Sequence, residues 1–134
     1  SAMRILSALI LLSMLVAQEA DSPFSIEVRP RVMDKNRLYV VVQVENNTGR
    51  RITHLEGFIS KLNASGRRTA QRRLSMIRRA DPGFEPGFSI SRGLHYPHSG
   101  TIVEDYIFEI SKLKFFGDQN IYTYHPAAGF IRID

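Results

Sequence analysis

The sequence contains no cysteine, and this absence removes several kinds of chemistry at once. A chain without thiols forms no disulfide, offers no thiolate nucleophile, and binds neither an iron–sulfur cluster nor cysteine-ligated zinc. A phosphate-binding glycine loop is also lacking, since no Lys-Ser/Thr pair follows Gly83 or Gly87. Any catalysis would therefore depend on carboxylates, hydroxyls, basic side chains and four histidines.

Long hydrophobic runs are scarce as well, and the single one lies at the N-terminus. Met3 stands behind a cloning remnant, Arg4 follows it, and residues 5–17 are almost entirely apolar. A positive charge before a short apolar run is the layout of a secretory signal peptide. Residues 1–17 are therefore predicted to direct export to the periplasm or the extracellular space. The alternative is a retained apolar helix that serves in secretion or assembly, and only then would the chain contact a membrane.

Residues 18–134 form one predicted domain, and its hydrophobic pattern repeats every two residues. Leu38, Val40, Val42 and Val44 alternate with a second set of side chains, as in a strand with one buried face. Similar stretches recur along the chain, separated by turns rich in Asn, Gly and Pro. The predicted fold class is all-β: an antiparallel immunoglobulin-like β-sandwich of about seven strands, preceded by the apolar N-terminal helix.

Three local features refine this expectation. The alternation slips at Glu56-Gly57, which predicts a β-bulge in the third strand. Residues 67–77 are polar, but short turns join them to strands on both sides, so they are predicted to be a strand as well. Residues 92–100 are predicted to be a loop that carries two of the histidines.

The segment from Leu38 to Phe115 also resembles a known group of domains. An apolar strand ends in Asn-Asn-Thr-Gly (46–49), a second strand ends in Asn-Ala-Ser-Gly (63–66), and a Pro-Gly turn precedes Phe-Ser-Ile (88–90). This order is similar to that of the FxLYD-type and related immunoglobulin-like domains of exported bacterial proteins. The resemblance implies a non-catalytic module of the bacterial envelope, and it carries over no ligand and no catalytic residue.

Positive charge is concentrated in one strand of the predicted sandwich. The chain has a net charge of +5, and the paired arginines of this strand are Arg67, Arg68, Arg72, Arg73, Arg78 and Arg79. Such a strand could attract another envelope protein with an acidic surface, or an anionic polymer or surface. Nucleic acid is disfavoured, because no aromatic side chain lies between Arg67 and Arg79 to stack on bases. The simpler interpretation is that these arginines keep a sheet edge soluble.

A second candidate surface is aromatic. The C-terminal part of the chain holds more aromatic residues than a small core needs, so some are predicted to form an exposed patch. Its candidate binding residues are Phe116, Tyr122 and Tyr124, with Tyr96, Phe115 and Phe130 nearby in the sequence.

The sequence predicts neither an enzyme nor a cofactor. Glu104 and Asp105 are adjacent, so on a strand they point to opposite faces and do not converge on one substrate. No G-x-S-x-G nucleophile elbow is present. A minor alternative is a metal site in which His95 and His98 are joined by His54 or His125 and one of these carboxylates.

Overall fold

The computed structural model describes residues 22–78 and 81–134, and all regular structure within these ranges is β-strand. The strands are β1 (Phe24–Val32), β2 (Arg37–Asn46), β3 (Ile52–Leu62), β4 (Arg68–Ile77), β5 (Ser89–Pro97), β6 (Asp105–Phe115), β7 (Tyr122–His125) and β8 (Gly129–Arg132). The all-β prediction is confirmed. The predicted N-terminal segment, residues 1–17, lies outside the described residues, and so does Arg79.

The strands form two antiparallel sheets. One sheet has the order β1-β2-β5, and the other has the order β4-β3-β6-β7-β8. The strand predicted over 67–77 is confirmed as β4, which forms an edge of the five-stranded sheet. The loop predicted over 92–100 is wrong for residues 92–97, because β5 pairs with β2 as far as Pro97. Gly93 permits this pairing, since a Cβ there would collide with the ring of Tyr39.

The two sheets enclose a common hydrophobic core. The alternating residues of β2, namely Leu38, Val40, Val42 and Val44, are each at most 1% exposed. Burying an aliphatic side chain of this size stabilises a fold by roughly 1.5–3 kcal/mol. From the five-stranded sheet, the same cluster takes in Leu55, Ile59, Met76, Leu113 and Phe115.

Asn46 links the two sheets where the chain leaves β2 for β3. Its side chain is fully buried, and its Nδ2 donates hydrogen bonds to the carbonyl oxygens of Arg50 (2.8 Å) and Phe84 (2.9 Å). Its Oδ1 accepts hydrogen bonds from the backbone N–H and the hydroxyl of Thr48. A single buried amide thus satisfies backbone groups of the β2–β3 turn and of the segment before β5.

β3 lies between β4 and β6, and its pairing is irregular on both sides. The register of β3 with β6 shifts at the predicted place, between Glu56 and Gly57, but the prediction of a bulge in the third strand is wrong, because the extra residue, Ser111, belongs to β6. Two further shifts occur in its pairing with β4, where the extra residues belong to β4. One of these bulges contains Ala70, which has a φ of 48°.

Candidate functional site

The arginines of β4 do not share a face, and the bulge at Ala70 decides how they divide. Arg73 lies opposite Phe58 on the outer face of the five-stranded sheet, and its neighbour Arg72 lies on the other face opposite Ile59. Beyond the bulge, Arg68 returns to the outer face, where its side chain reaches Glu109. An unbroken strand would place Arg68 and Arg73 on opposite faces, because five positions separate them.

Arg68 is held by a two-pronged ion pair. Its Nε donates to Oε1 of Glu109 at 2.6 Å, and its Nη2 donates to Oε2 at 2.9 Å. Hydrogen bonding and the charge of this carboxylate raise the pKa of Arg68 further above its usual value. The pair crosses β3 and ties the edge strand β4 to β6, so the guanidinium is positioned and permanently charged.

The carboxylate of Glu56 lies close to three basic side chains. Its side chain is only 12% exposed, and it lies 3.8 Å from Nε of Arg73 and 3.8 Å from Nζ of Lys112. Nε2 of His54 is 3.4 Å from the same carboxylate, in a direction that makes no hydrogen bond. Because one negative charge is divided among these groups, the positive charge around it is not neutralised.

These observations define a basic face. It consists of Arg68, Arg73, Lys112 and Lys114 on the outer side of the five-stranded sheet, with Lys114 opposite His54. Two carboxylates, Glu56 and Glu109, lie among the four cations. The face therefore carries a net excess of positive charge. The face is built from paired strands, which fix the spacing of its charges.

The two lysines were not among the residues predicted from the sequence. Their signal is the alternation of β6, in which Ile110, Leu113 and Phe115 are buried and Lys112 and Lys114 take outward positions. The extra residue Ser111 obscures that alternation, because it shifts the outward positions by one.

Arg72 has a different environment from its neighbours. Its Nη1 donates a hydrogen bond to the carbonyl oxygen of His95 on β5, and its guanidinium lies 4.9 Å from the centre of the Tyr96 ring. Burial raises the pKa of Tyr96, and the charge of Arg72 opposes this shift. Arg72 on β4 thus connects its sheet to β5 of the other sheet. Its charge is therefore not part of the basic face.

Arg67 and Arg78 lie just outside the two ends of β4. The backbone N–H of Arg67 donates to Oδ1 of Asn63 in the β3–β4 turn. Arg78 is exposed, and its backbone N–H donates to a carboxylate oxygen of Asp81. Arg67 and Arg78 are therefore separated from the basic face by position along the strand.

Most of the predicted aromatic patch forms an internal cluster instead. Tyr124 and Phe130 pack on Phe24 with ring centres 5.3 and 6.0 Å apart, respectively, and Tyr122 packs on Phe115 at 5.8 Å. Tyr122 and Tyr124 are half-buried, and Phe115 is buried with Tyr96 in the core. The cluster closes one end of the core beneath β7 and β8.

Phe116 is the one member of the predicted aromatic set that is largely exposed, at 63%. The guanidinium of Arg51 lies 5.0 Å from the centre of its ring. Nε of Arg51 also makes a 2.8 Å ion pair with Glu85. Phe116 is thus an isolated aromatic side chain with a cation over it.

The four histidines are spread over the molecule. His95 stacks against Tyr39, His54 lies on the outer face of β3, and His125 accepts a hydrogen bond from the backbone N–H of Ala127. Within residues 22–78 and 81–134, no three histidine or carboxylate side chains are placed to hold a metal ion. His95 and His98 both lie near the end of β5.

Comparison of the chain with known proteins identified no relative. Neither a family model, nor a curated protein, nor a solved structure matches the chain. In the part of the chain that the structure describes, no helix has the length and apolar character needed to cross a membrane.

Proposed function

We propose that this chain is a non-catalytic, exported binding module that recognises an acidic protein of the bacterial envelope. The observation that carries the proposal is the basic face, where Arg68, Arg73, Lys112 and Lys114 surround only two carboxylates. Its cations come from two strands joined through β3, so their spacing is set by the sheet. Positive charges held at fixed positions favour encounter with a negatively charged surface.

The strand order supports an immunoglobulin-like assignment. Strands β1, β2 and β5 occupy one sheet, and β3, β6 and β7 are consecutive neighbours in the other. In the constant-type immunoglobulin fold, the first, second and fifth strands likewise share a sheet, and the third, sixth and seventh share the other. The fourth strand differs, since β4 joins β3 here. The signal-like sequence of residues 1–17 supports export.

The test compares two double variants with the same loss of charge. Arg73→Gln with Lys114→Gln removes two charges from the basic face, and Arg31→Gln with Arg92→Gln removes two exposed charges from the three-stranded sheet. Polyglutamate serves as an acidic polypeptide and polygalacturonate as an anionic polysaccharide, each titrated at low and high salt.

We expect the face variant to bind polyglutamate about tenfold more weakly than the wild type. The matched variant should bind nearly as well as the wild type, and added salt should weaken all the complexes. Equal loss in both variants would mean that overall charge, rather than this face, is recognised. Binding to polygalacturonate but not to polyglutamate would overturn the choice of a protein partner. Salt-tolerant binding that is lost in Phe116→Ala would move the site to the exposed aromatic residue.

A further inference from the structure

The central strand β6 is incompletely paired. On one side it pairs with β3 from Asp105 to Phe115. On the other side, within the described residues, its pairing with β7 is confined to Leu113 and Tyr122. The first half of β6, residues 105–110, therefore presents an open edge in the interior of the five-strand order rather than at its rim.

The backbone groups that point to this open edge can be assigned. The carbonyl oxygen of Glu109 is turned towards Gly57 of β3, and the carbonyl oxygen of Ile110 is turned the other way, where it accepts a 3.5 Å hydrogen bond from the Thr123 hydroxyl. Backbone groups of successive residues in a strand alternate in direction. Phe108 and Tyr106 therefore direct their N–H and C=O groups to the open edge, together with Ile110.

A groove runs beside these groups. It has a volume of about 560 Å³ and is bounded by side chains of β1, β6, β7 and β8 and by the turn before β8. Its inner wall is apolar, formed by Ile26, Phe108, Ile110, Tyr124 and Ile131. Its outer lip carries Arg68 and Glu109, so the groove opens directly onto the basic face.

The other strand edges are less suited to pairing with an added strand. β1 contains Pro30, which has no N–H, and β8 spans only Gly129–Arg132. β4 is interrupted by two bulges. On β5, the other outer strand of the three-stranded sheet, the carbonyl oxygen of His95 already accepts a hydrogen bond from Arg72, and Pro97 has no N–H. Bulged and very short edges are poor templates for an added strand.

We propose that an extended segment of the acidic partner adds to the open edge of β6 as an extra strand. Within the described residues, the backbone groups of Tyr106 and Phe108 on this side, and the N–H of Ile110, have no strand partner. A polypeptide backbone matches this pattern of donors and acceptors, and a polysaccharide or polyphosphate does not. Alternate side chains of the segment would enter the apolar groove, and those between them would face outward beside the cations of the basic face. The segment recognised is thus one in which apolar and acidic residues alternate.

This inference depends on the proposed function, since it names the form in which the acidic partner binds. The probe is a short capped peptide of alternating valine and glutamate, and the controls are two versions of it, one N-methylated at every valine and the other at every glutamate. Because successive N–H groups of a strand point to opposite sides, one of the two versions loses the donors that face β6, and both keep the charges. Binding of the three peptides to the full chain is measured by titration, and amide hydrogen exchange is followed residue by residue by NMR.

We expect the unmodified peptide to bind and to protect the amides of Tyr106, Phe108 and Ile110 from exchange. The amides of Ile107 and Glu109 should change little, because they already face β3. The version that is methylated on the donors facing β6 should bind at least about tenfold more weakly than the unmodified peptide. Equal binding of all three peptides without protection at β6 would overturn strand addition and leave the basic face intact. If none of the peptides binds while polyglutamate also fails, the proposed function falls with it.

Two substitutions in one exposed turn give an independent check. Ala128 lines the groove, and its neighbour Ala127 does not. Ala128→Phe should fill the groove and weaken peptide binding by about tenfold, whereas Ala127→Phe should leave the affinity unchanged. Both positions are exposed, so neither change disturbs the core. Equal affinities for the two variants would contradict a segment seated in the groove.

Discussion

Asp118 shows how one side chain can fix a turn of this molecule. Its Oδ1 accepts the backbone N–H of Asn120 at 2.9 Å, and its Oδ2 accepts the hydroxyl of Tyr122 at 2.9 Å. Arg50 lies 3.7 Å away. These interactions, the backbone hydrogen bond first among them, lower the pKa of Asp118 below the usual 3.8. Turn composition predicts the local bond, but the contribution of Arg50 depends on tertiary structure.

The lowered pKa of Asp118 predicts a specific response to acid. The ionised carboxylate is favoured by folding, so its stabilisation is complete above the pKa of the unfolded chain and is lost as the pH falls through the lower folded pKa. Asp118→Asn should therefore be less stable at neutral pH and should lose less stability on acidification. Urea unfolding across the acid range measures this, with Asp105→Asn as an exposed control. A pH profile parallel to that of the wild type would contradict the assignment.

Among the elements, β4 shows most clearly where sequence patterns stop being informative. Its polar composition and its neighbours predict a strand, and that prediction is confirmed. Which way each arginine points depends on the bulges, and a bulge reverses the direction of every residue beyond it. The sequence has no marker for the bulge at Ala70, because alanine is an unusual residue at a positive φ. One basic strand was therefore predicted where the structure divides its arginines between two faces.

The strained backbone of Ala70 gives a prediction for β4. An alanine with φ near +48° is strained relative to glycine by about 1–2 kcal/mol. Glycine costs about 0.5–1 kcal/mol in unfolded-chain entropy, so Ala70→Gly should stabilise the protein by up to about 1.5 kcal/mol. Ala64→Gly, in the exposed β3–β4 turn, should be neutral or destabilising. Thermal unfolding of both variants checks this, and a destabilised Ala70→Gly protein would show that the bulge is not strained.

For the whole molecule, alternation in the sequence was enough to predict the fold class but not the arrangement of strands. The buried valines of β2 indicate a two-layer β protein, because each of them needs a second layer to cover it. That β6 rather than β5 lies beside β3 is decided by the packing of distant side chains. The basic face could not be predicted from the sequence for the same reason. Its arginines come from β4 and its lysines from β6, and they lie together only because both strands pair with β3.

Asn46 connects the two layers, so its substitution should lower the stability of the whole domain. Asn46→Ala removes four side-chain hydrogen bonds, each worth about 0.5–1.5 kcal/mol, although the carbonyl oxygens of Arg50 and Phe84 each keep a second donor, the Thr48 hydroxyl and the Ile52 N–H respectively. We expect the midpoint of denaturant unfolding to fall strongly while the transition remains cooperative. Asn47→Ala changes the exposed neighbour, which bonds Ser25, and should have little effect. Similar midpoints for the two variants would show that Asn46 does not hold the layers together.

The position of β3 also determines when the chain can finish folding. β3 forms a hairpin with β4, which follows it directly. The other side of β3 pairs with β6, which comes only after β5 in the sequence. A chain that emerges from its N-terminus can therefore form the β1–β2 and β3–β4 hairpins first, but β3 gains its second partner only when Phe115 has appeared, and β7 and β8 join the sheet after that. Pairing between such distant segments is entropically slow, typically taking about milliseconds to seconds in all-β domains. The docking of β6 is thus the step that sets how long a newly emerged molecule leaves its interior uncovered.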